Sequence, residues 1–188
     1  MQTERSILLI TTGGTIDSDP YPDNESDYPA LSIHSGASRA FQALEDIIAR
    51  QNDAPSYRLH HTALCAKDSK HLSSEDQDAI LRQILRESAH WRIVITIGTD
   101  RMIDIARNLR TQVQNSAFRL PCPVIFTGAI WPLSNGEKKS DGFDNLALAA
   151  LSHQNLSPDI YVAMHSIMAT PDQIEKDFVA RTFIRIDP

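Results

Sequence analysis

The sequence predicts an α/β fold, a three-layer Rossmann-like parallel sheet with helices on both faces. Two observations carry this expectation. Short runs rich in Ile, Val and Leu, such as "SILLIT" and "RIVITI", suit strands buried on both faces. Between them lie stretches whose apolar residues recur at spacings of three and four, the mark of amphipathic helices. Strand alternating with helix in this way calls for right-handed crossovers and a parallel sheet. A length of 188 residues fits one domain with a single core, so residues 1–188 are expected to form one unit.

The elements follow in order. Ser6 to Thr11 is an apolar strand that breaks at Gly13-Gly14, and Thr12 to Leu31 is too polar and proline-broken for a regular element, so it reads as a long loop. In Ala37 to Gln51, Phe41, Leu44, Ile47 and Ile48 keep helical spacing. Tyr57 to Cys65 alternates as a strand. Ser73 with Asp76 three residues on forms a capping box before a helix whose apolar face is Ile80, Ile84 and Leu85. Arg92 to Ile97 is a second central strand, and Thr99 can cap the following helix, with Met102, Ile103, Ala106 and Leu109 facing inward. Pro123 to Thr127 is strand, Asp144 to Ser152 helix and Asp159 to Met164 strand. A charged tail closes the chain with a short extended piece at Thr182 to Ile186.

Composition narrows the functions. A formal charge of −6 argues against nucleic acid, whose partners carry a clustered basic face; the lysine pair at Lys138 and Lys139 is flanked by Glu137 and Asp141 and reads as a solvated loop. No segment has the ~18 apolar residues of a membrane span and the N-terminus lacks a cleavage-site pattern, so a soluble, cytoplasmic protein with no membrane partner is expected. Cys65 and Cys122 lack metal or redox spacing and read as packed thiols, and the seven histidines show no ligand spacing, so no metal is expected. His60 and His61 are adjacent on a strand and point to opposite faces.

In parallel sheets ligands bind outside the carboxyl ends of the strands. The loops there read "TTGGTIDSDPYP", "AKDSKH", "IGTDRM", "TGAIWPLSNGEKKSDGFDN" and "HSIMATPDQIEK". A phosphate cradle fails on pattern: neither glycine-rich signature is present, and Asp17, Asp19 and Asp23 put negative charge where a pyrophosphate would sit. A serine triad lacks its G-x-S-x-G elbow. Hydroxyl chemistry without histidine is left. Thr15 follows two glycines that permit a tight turn, and a threonine nucleophile needs a base, which a neutral lysine can supply. Lys176 and the Thr99-Asp100 pair are the candidate partners, although Thr99 alone would be an ordinary helix cap and Lys176 alone a surface charge.

Taken together, these segments resemble the asparaginase/glutaminase family of threonine amidohydrolases, in order along most of the chain. "TTGGTID" resembles its first active-site signature and "IGTDRMIDIARNL" its second, normally written His-Gly-Thr-Asp. "KDSKHLSSED", "TGAIWP" and "SDGFDNL" are similar to three further stretches, and the spacing from "VAM" to Lys176 agrees with the family's lysine. The resemblance implies that fold class and a site: Thr15 as nucleophile, Tyr21 or Tyr28 polarising it, and Thr99, Lys176 and Asp100 as a relay. Asp100 would also accept the substrate's α-ammonium, Ser69 would bind its α-carboxylate with Asp68 beside it, and backbone N–H groups would stabilise the oxyanion.

It further implies an amino-acid amide as substrate, no cofactor, and a homodimer or homotetramer of the short form that lacks the family's smaller C-terminal domain. Ile97 stands where the family has histidine, and Lys70 stands where it usually has a small polar or apolar group, near the substrate's carboxylate. Those two departures keep a second class in view, a weakly active or silent domain that binds an amino acid or a protein partner. A nucleotide-binding module has only the fold in its favour.

Overall fold

The computed structural model describes residues 4–20, 36–51, 56–87, 90–137 and 139–187. Five parallel strands form the body of one sheet: β1 (Arg5–Thr11), β2 (Tyr57–Ala63), β3 (Arg92–Thr96), β4 (Val124–Thr127) and β5 (Ile160–Met164). The helices between them are α1 (Arg39–Ala49), α2 (Ser74–Arg86), α3 (Met102–Gln114) and α4 (Gly142–Leu151). A sixth strand, β6 (Ile167–Ala169), returns antiparallel along β5, and β7 (Ile174–Asp177) pairs with β8 (Thr182–Arg185) as a separate hairpin. The sheet is therefore mixed, mostly parallel, in the order β2-β1-β3-β4-β5-β6.

Strand alternation divides the core. Leu8, Ile10, Ile93 and Ile95 pack with Ile80 and Ile84 of α2 and with Met102, Ile105, Ala106 and Leu109 of α3. Ile7, Leu9 and Val94 point the other way, onto Leu44 of α1 and Ala149 and Ala150 of α4. Each such fully buried Leu or Ile contributes roughly 1.5–3 kcal/mol relative to exposure, so neither helix layer can be peeled off cheaply. The capping box at α2 forms as expected, Ser73 Oγ accepting from Asp76 N and the Asp76 carboxylate accepting from Ser73 N. His61 stacks on Phe41 of α1 while His60 meets His90, on opposite sides of β2.

Two expectations need correction. Thr99 does not cap α3: the cap position is Arg101, whose backbone N–H donates to Ser69 Oγ at 3.3 Å, a bond from a distant segment. The stretch "HSIMATPDQIEK" is not one loop, since it contains β6 and most of β7. The described part of the loop from Thr12 carries a 3₁₀ turn at Thr15–Asp17. Among the described residues no helix is long and apolar enough to cross a membrane.

Strand order fixes where a ligand can sit. The chain leaves β1 to one side for β2 and then crosses to the other side for β3, so β1 and β3 are the strands at which the winding reverses. The crevice outside their carboxyl ends is the binding position in sheets of this order. The residues that follow those two strands are Thr12–Thr15 and Ile97–Asp100.

Candidate active site

Backbone contact brings the strand ends together. Gly13 and Gly14 have φ of +98° and +85°, in the left-handed region that favours glycine. A methyl group added at Gly14 would lie 2.4 Å from Gly98 N, and one added at Gly98 would lie 2.8 Å from both Ser69 N and Ser69 Oγ. Only glycine lets three loops touch in this way. Thr15, Thr99 and Ser69 each adjoin or make these contacts, and all three are buried.

The ammonium of Lys176, carried by β7, completes the cluster. Its side chain is only 9% exposed, unlike a solvated surface lysine. Lys176 Nζ donates to Thr99 Oγ1 at 2.9 Å and to Asp100 Oδ1 at 2.5 Å. Lys70 Nζ lies 2.6 Å from the other carboxylate oxygen, Asp100 Oδ2. Burial pushes the Asp100 carboxyl up, but the hydrogen bonds and charges of Lys176 and Lys70 outweigh it and hold the group below the ordinary value.

Ser69 and Asp68 close the cluster on the β2 side. Ser69 Oγ donates to Asp68 Oδ1 at 3.3 Å while accepting from Arg101 N, and Asp68 also accepts from Lys70 N. The neighbouring Lys67 is tied by both oxygens of Asp76 to the start of α2, which steadies this loop. Asp17, which speaks against a phosphate by its charge, takes the N-terminus of α1 for itself, accepting from Ala40 N at 2.9 Å and from Ser38 Oγ.

The structure thus brings Ser69, Asp68, Thr99, Asp100, Lys70 and Lys176 together at the ends of β1 and β3, with Thr15 next to the contact of Gly14 with Gly98. Tyr21 and Tyr28 lie outside the described residues. Ile97 is fully buried within the apolar cluster of β3 and α3, a packing residue that brings no proton chemistry. Among the described residues no group of three or more His, Cys, Asp or Glu side chains is placed to hold a metal ion.

One further polar network has no counterpart in the sequence reading. The partly buried Asp141 carboxylate accepts from Ile130 N, Trp131 N and Asn145 Nδ2, and lies 3.1 Å from His165 Nε2. His165 Nδ1 lies 2.8 Å from Thr182 Oγ1 on β8, the partner strand of β7. This brace ties the hairpin that carries Lys176 to the loops after β4 and β5. "SDGFDNL" supplies Asp141 and Asn145 as a quotable motif, but nothing in the sequence singles out His165.

The family model described as Asparaginase, N-terminal matches residues 6–180. The chain belongs to the asparaginase family. Its fold is that of solved asparaginases. The thermostable L-asparaginase from Thermococcus kodakarensis superposes with a TM-score of 0.69 at 24% identity, over 96% of this chain and 51% of that one. A probable cytoplasmic L-asparaginase from Campylobacter jejuni gives 0.68 at 20% identity, over 95% and 52%. The chain spans about half the length of these relatives. No curated protein matches this asparaginase-family sequence.

Proposed function

We propose that the chain hydrolyses the side-chain amide of L-asparagine to L-aspartate and ammonia through a threonine nucleophile and an acyl-enzyme. The observation that carries this reading is the buried Lys176 ammonium, hydrogen-bonded to both Thr99 and Asp100 on the loop that touches Gly14, the residue before Thr15. Thr15 Oγ1 attacks the amide carbon, with Tyr21 or Tyr28 polarising it, and backbone N–H groups near Thr15 hold the oxyanion. The Thr15 proton passes through the Thr99–Lys176–Asp100 relay to the departing nitrogen, which leaves as ammonia. Water then adds to the Thr15 ester, releasing the carboxylic acid and restoring the hydroxyl. Ser69 binds the substrate's α-carboxylate with Asp68 beside it, and Asp100 faces the α-amino end.

The same reading takes residues 1–188 as a sufficient catalytic unit, cytoplasmic, without a cofactor, and assembled as a homodimer or homotetramer; sizing that finds only a ~21 kDa species would refute the assembly. Ammonia release from L-asparagine and L-glutamine by the purified chain, beside Thr15→Ala, tests the chemistry. Release that falls at least ~10³-fold in the variant supports it. The Lys70–Asp100 ion pair favours one other reading, a family member that binds an amino acid or protein partner with little or no turnover. Thermal stabilisation by L-aspartate without ammonia release would select it.

A further inference from the structure

The two oxygens of Asp100 are not equally placed, and neither is open. Lys176 reaches Oδ1 from β7 and is shielded; Lys70 reaches Oδ2 from the 3₁₀ turn Ser69–His71 and its side chain is 61% exposed. A carboxylate bonded at 2.5 and 2.6 Å to two ammonium groups has no oxygen left that a third cation can approach without meeting a like charge. Among the described residues the charged groups around it are Lys70, Lys176 and Arg101 against Asp68 and Asp100, and Asp68 accepts from Ser69 Oγ and Lys70 N through one oxygen, Oδ1. The Arg101 guanidinium donates to Leu72 O, away from both. Among the described residues the cluster therefore presents the exposed Lys70 ammonium beside an Asp100 carboxylate whose two oxygens are both paired already.

We infer that Lys70 is a specificity-determining residue that sets this site for amides carrying a carboxylate and no free ammonium, so that its preferred substrates are deamino or N-acylated relatives of asparagine. This deepens the amidohydrolase reading and rests on it. An incoming α-ammonium must displace Lys70 from Asp100, whereas an amide without one leaves the Lys70–Asp100–Lys176 chain intact and gains Lys70 as a partner for its carboxylate.

The test compares kcat/KM for L-asparagine, succinamate and N-acetyl-L-asparagine in the native chain, Lys70→Gln and Lys70→Arg. Succinamate is expected to be favoured over L-asparagine by at least about tenfold, mainly in KM; Lys70→Gln should reverse the order and Lys70→Arg should keep it. A native preference for L-asparagine, or a ratio that Lys70→Gln leaves unchanged, overturns the inference. Calorimetric binding of succinate and L-aspartate separates this from the chemistry. If no amide is turned over, the amidohydrolase reading fails, yet succinate bound about tenfold more tightly, with that margin lost in Lys70→Gln, still supports the role of Lys70. Equal binding, or binding of neither, overturns it.

Discussion

Two carboxylates stand at the same end of the sheet in opposite settings. Asp141 is surrounded by neutral donors, two backbone N–H groups and the Asn145 amide, with His165 as its fourth neighbour. Asp100 has only ammonium groups on its two oxygens, one of them exposed. Both carboxyls sit below the ordinary value despite burial, so the direction of the shift does not distinguish them. The donors do. Fixed dipoles that belong to the backbone cannot leave, which suits a brace; mobile cations on long side chains can exchange partners or hand over protons, which suits a site.

Removing a member of each network separates the two settings most sharply. Lys176→Met is expected to lower ammonia release by roughly 10³-fold or more, as loss of a group in the proton relay from a nucleophile does, while Tm moves by only a few degrees because Lys70 still pairs with Asp100. Asp141→Ala should act in the other order. It strands two buried N–H groups and the Asn145 amide, an expected loss of about 3–4 kcal/mol and a Tm fall of roughly 10 °C, with activity lost through unfolding. Chemical denaturation and ammonia assays on both variants check this, and a comparison in which Lys176→Met proves the more destabilising would dissolve the contrast.

A smaller effect is expected at the turn that aims His165. His165 and Ser166 have φ of 48° and 65°, the left-handed pair that a two-residue β5–β6 hairpin requires. A residue other than glycine or asparagine there costs about 1 kcal/mol, which the ring contacts to Asp141 and Thr182 offset. His165→Asn keeps the turn but not the reach to Thr182, so a destabilisation of about 1–2 kcal/mol with an accompanying rise in KM is expected. Unchanged kinetics would mean that the brace does not position the hairpin of Lys176.

That turn also explains what the sequence could and could not disclose. The five parallel strands and four helices were legible because burial on both faces demands apolar runs in the inner strands, because the edge strand β2 alternates, and because helical spacing and a capping box, as at Ser73 and Asp76, are local signals. The β5–β6 hairpin was not, since His-Ser replaces the Asn-Gly or Gly-rich pair that usually announces such a turn. Thr99 misled for a local reason: Thr-Asp before an amphipathic stretch has the chemistry of a cap, yet α3 begins only at Met102 and its cap position is Arg101, whose N–H is held by Ser69 Oγ from 32 residues upstream. Lys176 sits on a short strand, "IEKD", with no clean alternation, so its placement beside Thr99 was legible only through the family resemblance. The Lys70–Asp100 pair is a tertiary contact between two loops, and no pattern within either loop encodes it.

The finest test of the contrast is the acid limb of stability. Each carboxyl has a folded pKa below its ordinary 3.8, so the stability it contributes is fully present above that value and is lost as pH falls through the depressed one. The sign is therefore the same for both, and replacing either by Asn should flatten the fall in stability below about pH 4. Salt separates them. Against desolvation, Asp141 owes its lowered value first to the hydrogen bond with the shielded His165 ring and then to the fixed backbone N–H groups of Ile130 and Trp131, whereas Asp100 owes its lowered value to two ammonium groups, one exposed and open to counterions. In urea titrations at roughly 0.1 and 1 M NaCl, the slope removed by Asp141→Asn should be nearly independent of salt, and the slope removed by Asp100→Asn should shrink at the higher concentration. Equal salt dependence in the two variants would show that Asp100 is held as rigidly as Asp141, and that Lys70 is not available to a ligand.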